Sequence, residues 1–274
     1  MRQQTRNVEQ KARQVAADPW VEKLARFGLV AKGIVYSIVG ILAAQAAFGT
    51  GGRTTDTAGA LQTIVTQPFG KFLLALVAVG LLGYMLWQFI AAFLNPDNKG
   101  IFGRLGSFFA AVIYAGLAFT AVKLILGTGG QTGGNATQDW TARFLAQPFG
   151  QWLVGIAGAL TIGMGFYEIY KGFKGKFRED LKWQQMDRNE RNWATNLGRL
   201  GYAARGVVFI AIGFFLIQAA RLSNPNQARG FGGALAALAA QPYGPWILGL
   251  VAIGLIAYGI YTLVEAKYRR IRTA

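Results

Sequence analysis

Lys32, Lys123, Glu168 and Arg205 are charged residues set inside long apolar stretches of this sequence. A charge in that setting is costly, so its type and its partners indicate chemistry. Three readings stand for Lys32 and Arg205: snorkelling to a headgroup layer, pairing with Glu168, or contact with an anionic substrate or lipid phosphate. Glu168 falls near one end of its apolar stretch and Lys123 near the opposite end of another. Gln45 and Gln218 are the polar residues at positions equivalent to Lys123. At about 1.5 Å of rise per residue, all of these lie in the inner or outer third of a core roughly 30 Å thick. The midplane is left mostly to Tyr36, Ser37, Tyr114 and Thr161 among glycines and aliphatics. That distribution weighs against a wide aqueous pore and against a proton relay.

The chain has no cysteine and no histidine. Disulfides, Cys/His zinc sites, His- or Cys-ligated haem and Ser-His or Cys-His nucleophiles are therefore excluded. A lipid-directed enzyme would need a carboxylate or metal site. Asp56, Asp139 and Glu168 are scattered instead of clustered. No catalytic residue, metal site or cofactor is implied.

These side chains must be held by membrane-spanning helices. The 274 residues are 53% apolar and only 15% charged, against about a quarter charged in soluble domains. Charge-free runs at 33–52, 72–94, 144–167 and 231–264 are long enough to span, and 105–122 and 206–220 extend if flanking cations snorkel. The expected fold class is an all-α polytopic protein of six transmembrane helices. The net charge is +16, but its placement argues against nucleic acid. Basic residues crowd the N-terminus, the stretch 171–199 and the tail, while the alternate loops hold few. That asymmetry places both termini in the cytoplasm. The polar start lacks the apolar core of a cleavable signal, so the first span is expected to remain as an anchor.

The spans come in three tandem copies. Arg26, Arg104 and Arg199 each open an Arg-x-Gly element. Tyr36, Tyr114 and Phe209 correspond, as do Gln45, Lys123 and Gln218, and Tyr84, Met164 and Tyr258. Between the two spans of each copy stands Gln-Pro-aromatic-Gly: Gln67-Pro68-Phe69-Gly70, Gln147-Pro148-Phe149-Gly150 and Gln241-Pro242-Tyr243-Gly244. The boundaries read 1–23 for an N-terminal segment with an amphipathic helix, 24–97, 98–175 and 197–267 for the repeats, 176–196 for a cytoplasmic linker and 268–274 for a basic tail. Two spans per copy give every copy one orientation, so a pseudo-threefold bundle about the membrane normal follows.

Proline fixes its φ and restrains the residue before it. The corner is therefore expected to end a short interfacial helix at the Gln and begin a span at the Pro, with the aromatics at headgroup level. A ligand site at the corner is the other reading. Asp18 is expected to cap a short helix carrying Trp20, and Trp193 to mark a matching one, each leading into a span. The middle copy has Asn98 in place of that Trp. Glycines within spans suit close helix packing.

Arg-x-Gly on one helix, extended to Arg-x-Gly-x-x-Ala-x-Gly in copies one and three, and Gln-Pro-aromatic-Gly before the next, three times over, resemble the bacterial membrane family catalogued as domain of unknown function 1206. Copies one and three keep Gly33 and Gly206, and copy two has Ala111. The resemblance implies a multi-pass protein of the bacterial cytoplasmic membrane and no particular activity. The leading expectation is a non-catalytic structural, lipid-interacting or envelope-complex component. Arg26, Lys32, Arg104, Arg199 and Arg205 are its candidate contacts to anionic phospholipid. A membrane-protein partner or a homo-oligomer is also in view. The alternative is a small transporter or channel along the pseudo-threefold axis.

Overall fold

A computed structural model describes residues 19–93, 100–128 and 136–269. Asp18, Asn98, the start of the N-terminal segment and the tail beyond Arg269 lie outside the described residues. The described residues form nine α-helices: α1 (Pro19–Ala47), α2 (Thr57–Val65), α3 (Gly70–Phe93), α4 (Ile101–Ile125), α5 (Ala136–Leu145), α6 (Gly150–Lys174), α7 (Arg188–Arg221), α8 (Phe231–Ala239) and α9 (Gly244–Tyr268). Among them α1, α3, α4, α6, α7 and α9 are long and apolar enough to cross a membrane. Beyond one isolated bridge between Leu181 and Arg269, the described residues hold no β-structure.

Each repeat contributes two spans and a short helix between them. The tightest seams join successive repeats: α3 with α4, α6 with α7, and α9 with α1. Small residues set these seams. A Cβ on Gly33 would stand 2.9 Å from the Gly259 carbonyl, and one on Gly206 would stand 2.6 Å from the Gly165 carbonyl. Backbones that close exclude any side chain. The middle copy uses Ala111, fully buried, at the same position. Within repeats, α1 packs on α3 and α7 on α9, but α4 and α6 share no such seam. The pseudo-threefold ring is thus open in its second repeat.

Both described ends of the chain lie on one face, here called the basic face. There α1 and α7 begin as continuous helices, so exposed Trp20 and Trp193 stand on the spanning helices themselves and not on separate surface helices. At 34 residues, α7 is about 51 Å long and outreaches a hydrocarbon core. The linker folds onto this face. Phe177, Leu181 and Met186 are buried, and Lys182 N donates to Tyr268 O at 2.6 Å.

The opposite face carries the three corners. The short helices end at Val65, Leu145 and Ala239, and the next spans begin at the motif glycines Gly70, Gly150 and Gly244. The proline is therefore the second residue of a tight turn and not the first of a helix. The glycine N–H donates to the Gln carbonyl at 2.8, 2.9 and 2.7 Å in the three copies. The aromatic takes a left-handed φ of 59°, 62° and 61°. That is the geometry of a turn with proline second and positive φ third. Phe69, Phe149 and Tyr243 are 84%, 80% and 80% exposed, which suits a headgroup layer. The short helices α2 and α8 bury Leu61 and Leu235 against the bundle, while α5 keeps Trp140 and Phe144 exposed.

Candidate functional site

The interior splits into two halves. Toward the corners the buried core is aliphatic, with Val39, Ala43, Leu74, Val77, Leu124, Leu248 and Val251. Toward the basic face it holds a cluster of cations and tyrosines.

Lys32 stands on the inward face of α1 and is only 8% exposed. Its ammonium lies 3.4 Å from the Tyr84 hydroxyl of α3. It also sits over two rings, 5.1 Å from the centre of Tyr84 and 5.3 Å from that of Tyr258 on α9. Such faces attract a cation through the ring quadrupole. Arg205 approaches from α7. Its guanidinium lies 4.4 Å from the Tyr258 ring centre, 5.1 Å from Phe209 and 5.5 Å from Tyr36, and it donates to the Tyr258 hydroxyl. Glu168 of α6 supplies the carboxylate, 3.6 Å from Arg205. Tyr114 of α4 completes the group by packing edge-on against Tyr84 at 4.6 Å.

The fold thus brings together Lys32, Arg205 and Glu168, with the two cations on a single tyrosine. The two tyrosines that receive Lys32, Tyr84 and Tyr258, occupy one repeat position, and Lys32 and Arg205 share another. That coincidence was the sequence signal for the cluster, because equivalent positions in a pseudo-threefold ring face one axis. Two ion pairs lie closer to the basic face: Lys171 with Asp180 at 3.3 Å, and Arg269 with Glu265 at 2.5 Å.

The other polar candidates lie apart from this cluster. Lys123 sits over Phe119 near the corner-side end of α4. Gln45 is exposed, and Gln218 is half-buried. The corner glutamines Gln67, Gln147 and Gln241 are exposed.

The Arg-x-Gly arginines reveal a role that sequence did not show. Arg104 donates to the carbonyls of Ala92 at 2.9 Å and Phe93 at 3.3 Å. Arg26 donates to Ala266 and Lys267 carbonyls, both at 2.6 Å, and pairs with Glu22. The last carbonyls of a helix have no intrahelical partner and carry partial negative charge. Each arginine therefore caps the end of the span packed against its own helix. Arg199 stands at the matching place beside Gly172 of α6, with its side chain exposed.

Beside Arg26, a groove of about 420 Å³ opens on the basic face, lined by Lys23, Arg26, Phe27, Val30, Leu263, Ala266 and Lys267. Its rim is cationic and its floor is apolar. A second groove of about 220 Å³ runs along α7 from Asn192 to Leu200. Among the described residues no group of three or more acidic side chains is placed to hold a metal ion.

Comparison with known proteins agrees with this architecture. The family model described as Domain of Unknown Function (DUF1206) matches three segments, residues 27–95, 105–175 and 200–269. The chain is also similar to the uncharacterised protein YxxB of Bacillus subtilis (strain 168), at 39% identity over 256 residues, 92% of each chain. No solved structure matches. Three matched copies, each turning at Gln-Pro-aromatic-Gly between two apolar spans, place the chain in the DUF1206 family of repeat-built, multi-pass membrane proteins.

Proposed function

We propose that this protein is a non-catalytic component of the bacterial cytoplasmic membrane that binds anionic phospholipid on its basic, cytoplasmic face. The groove between α1 and α9 carries the reading. Lys23, Arg26 and Lys267 rim it, and Phe27, Val30 and Leu263 floor it. This pairing suits a phosphate above an acyl chain, since cations near an anionic leaflet are each worth about 1 kcal/mol. Arg26 is largely satisfied by helix-end carbonyls, so Lys23 supplies available charge, joined by exposed Lys267, whose contact with Glu190 at 3.4 Å a phosphate would have to share. Exposed Trp20 and Trp193 near this face and the corner aromatics opposite would hold the bundle at two headgroup layers.

Native mass spectrometry of delipidated protein titrated with phosphatidylglycerol tests the proposal. Bound lipid is expected on the wild type and reduced severalfold in a Lys23→Glu, Lys267→Glu variant. Equal retention of phosphatidylcholine by the wild type would overturn it. Transport along the axis is the second reading, and the buried Lys32, Arg205 and Glu168 are what favour it. Among the described residues the corner-side core is aliphatic, which weighs against that reading.

A further inference from the structure

We infer that the interior cluster holds one small monovalent anion, of the size of chloride, between the Lys32 ammonium and the Arg205 guanidinium. The charge balance motivates this. Two buried cations share the Tyr258 ring, and Glu168 faces Arg205. Among the described residues no carboxylate pairs with Lys32. The neighbouring pairs, Lys171 with Asp180 and Arg269 with Glu265, are already balanced. The cluster therefore carries one surplus positive charge in a low-dielectric interior, where an uncompensated charge is strongly unfavourable.

Unfilled hydrogen-bonding capacity lies at the same place. Arg205 Nε and Glu168 Oε2 are both buried without a hydrogen-bond partner. An anion accepting from Arg205 Nε and Lys32 Nζ would satisfy the donor and cancel the surplus. The tyrosine hydroxyls of the cluster can supply further donors. Size follows from packing. Tyr258 is 1% exposed, and Tyr36 and Tyr84 are nearly as buried, so no headgroup fits among them. The grooves that would take a headgroup lie at the basic face instead. Entry is expected through the open seam between α4 and α6. Arg205 and Glu168 retain 12% and 15% side-chain exposure.

The test is thermal unfolding of the detergent-solubilised full chain at constant ionic strength, with chloride replaced stepwise by gluconate. With chloride at about a hundredfold its dissociation constant, the wild-type midpoint should rise by about 5 °C. Lys32→Met should lose this dependence, because its surplus charge is gone. Should Lys32→Met fail to fold, chloride NMR linewidth on the wild type decides. Excess broadening over a detergent blank, displaced by bromide, is expected. An unchanged midpoint and an unbroadened line in the wild type would overturn the inference. A phosphatidylglycerol arm separates the two sites. That lipid should stabilise wild type and Lys32→Met alike if it binds the basic groove. Stabilisation by the lipid that is lost in Lys32→Met, with none by chloride, would assign the cluster to a headgroup and refute the small-anion site.

Discussion

Arg205 and Glu168 meet at 3.6 Å across the seam between α7 and α6, with neither side chain more than 15% exposed. Each belongs to a different repeat, so the pair ties the second repeat to the third. Removing one partner of a buried pair leaves the other uncompensated, at about 3–5 kcal/mol. Glu168→Gln is expected to lower the unfolding midpoint sharply. Adding Arg205→Met should recover much of the loss, because neither member of the pair is then left as an unpaired charge. Chemical denaturation of both variants in detergent checks this.

Arg104 ties α4 to the end of α3 through two carbonyls. Arg104→Ala should cost about 1.5–3 kcal/mol, the net worth of hydrogen bonding from a charged donor. Arg104→Lys should restore only part, since a single ammonium lacks the planar fork that reaches both acceptors. Faster amide hydrogen exchange over the last turn of α3 is the local readout.

The glycine seams predict a contrast between two positions. A Cβ on Gly206 would stand 2.6 Å from the Gly165 carbonyl, whereas one on Gly163 meets nothing within 4 Å. Gly206→Ala should therefore destabilise by about 1–3 kcal/mol by forcing α6 from α7. Gly163→Ala should be neutral or slightly stabilising, because alanine is the better helix former. Unfolding midpoints of the two single variants, measured side by side, test the seam.

Asp56 caps α2 by accepting from Gly59 N at 2.8 Å. Burial raises its carboxyl above the ordinary value, and the backbone hydrogen bonds oppose that shift only in part. An acid raised on folding favours the folded state at low pH. That contribution is present below the unfolded value and is lost as pH rises through the folded one. Asp56→Asn keeps a capping oxygen without the charge, and so should remove this dependence and match or exceed wild-type stability at neutral pH. A pH series of melting midpoints gives the answer.

The chain has no cysteine, so single cysteines report topology cleanly. Thr54→Cys and Asn226→Cys lie on the corner face and should label from outside intact cells. Asn189→Cys, at the start of α7 on the basic face, should not. Labelling of Asn189→Cys alone would invert the orientation.

Much of the fold was legible because repetition and hydropathy are written along the chain. Repeated Arg-x-Gly and Gln-Pro-aromatic-Gly located the copies, and apolar length located the spans. The corner was less so. Proline suits both a first helical position and the second place of a turn, and only the left-handed φ of Phe69, Phe149 and Tyr243 decides. The site was harder still. Sequence placed Lys32 and Arg205 toward one membrane face, but which way a helix turns its charged side depends on its neighbours. Tyr84, Tyr258 and Tyr36 make inward burial tolerable, and they stand up to more than 200 residues away along the chain. The cap on α9 is equally remote, since Arg26 reaches carbonyls 240 and 241 residues distant.

Spin-label spectroscopy in mixed bilayers tests lipid recognition at the basic groove most directly. The protein is reconstituted with trace spin-labelled phosphatidylglycerol or phosphatidylcholine, and the motionally restricted fraction of each is measured. The restricted fraction should be severalfold larger for phosphatidylglycerol on the wild type, and the two should converge in Lys23→Glu, Lys267→Glu. Equal fractions for both lipids on the wild type would contradict the account.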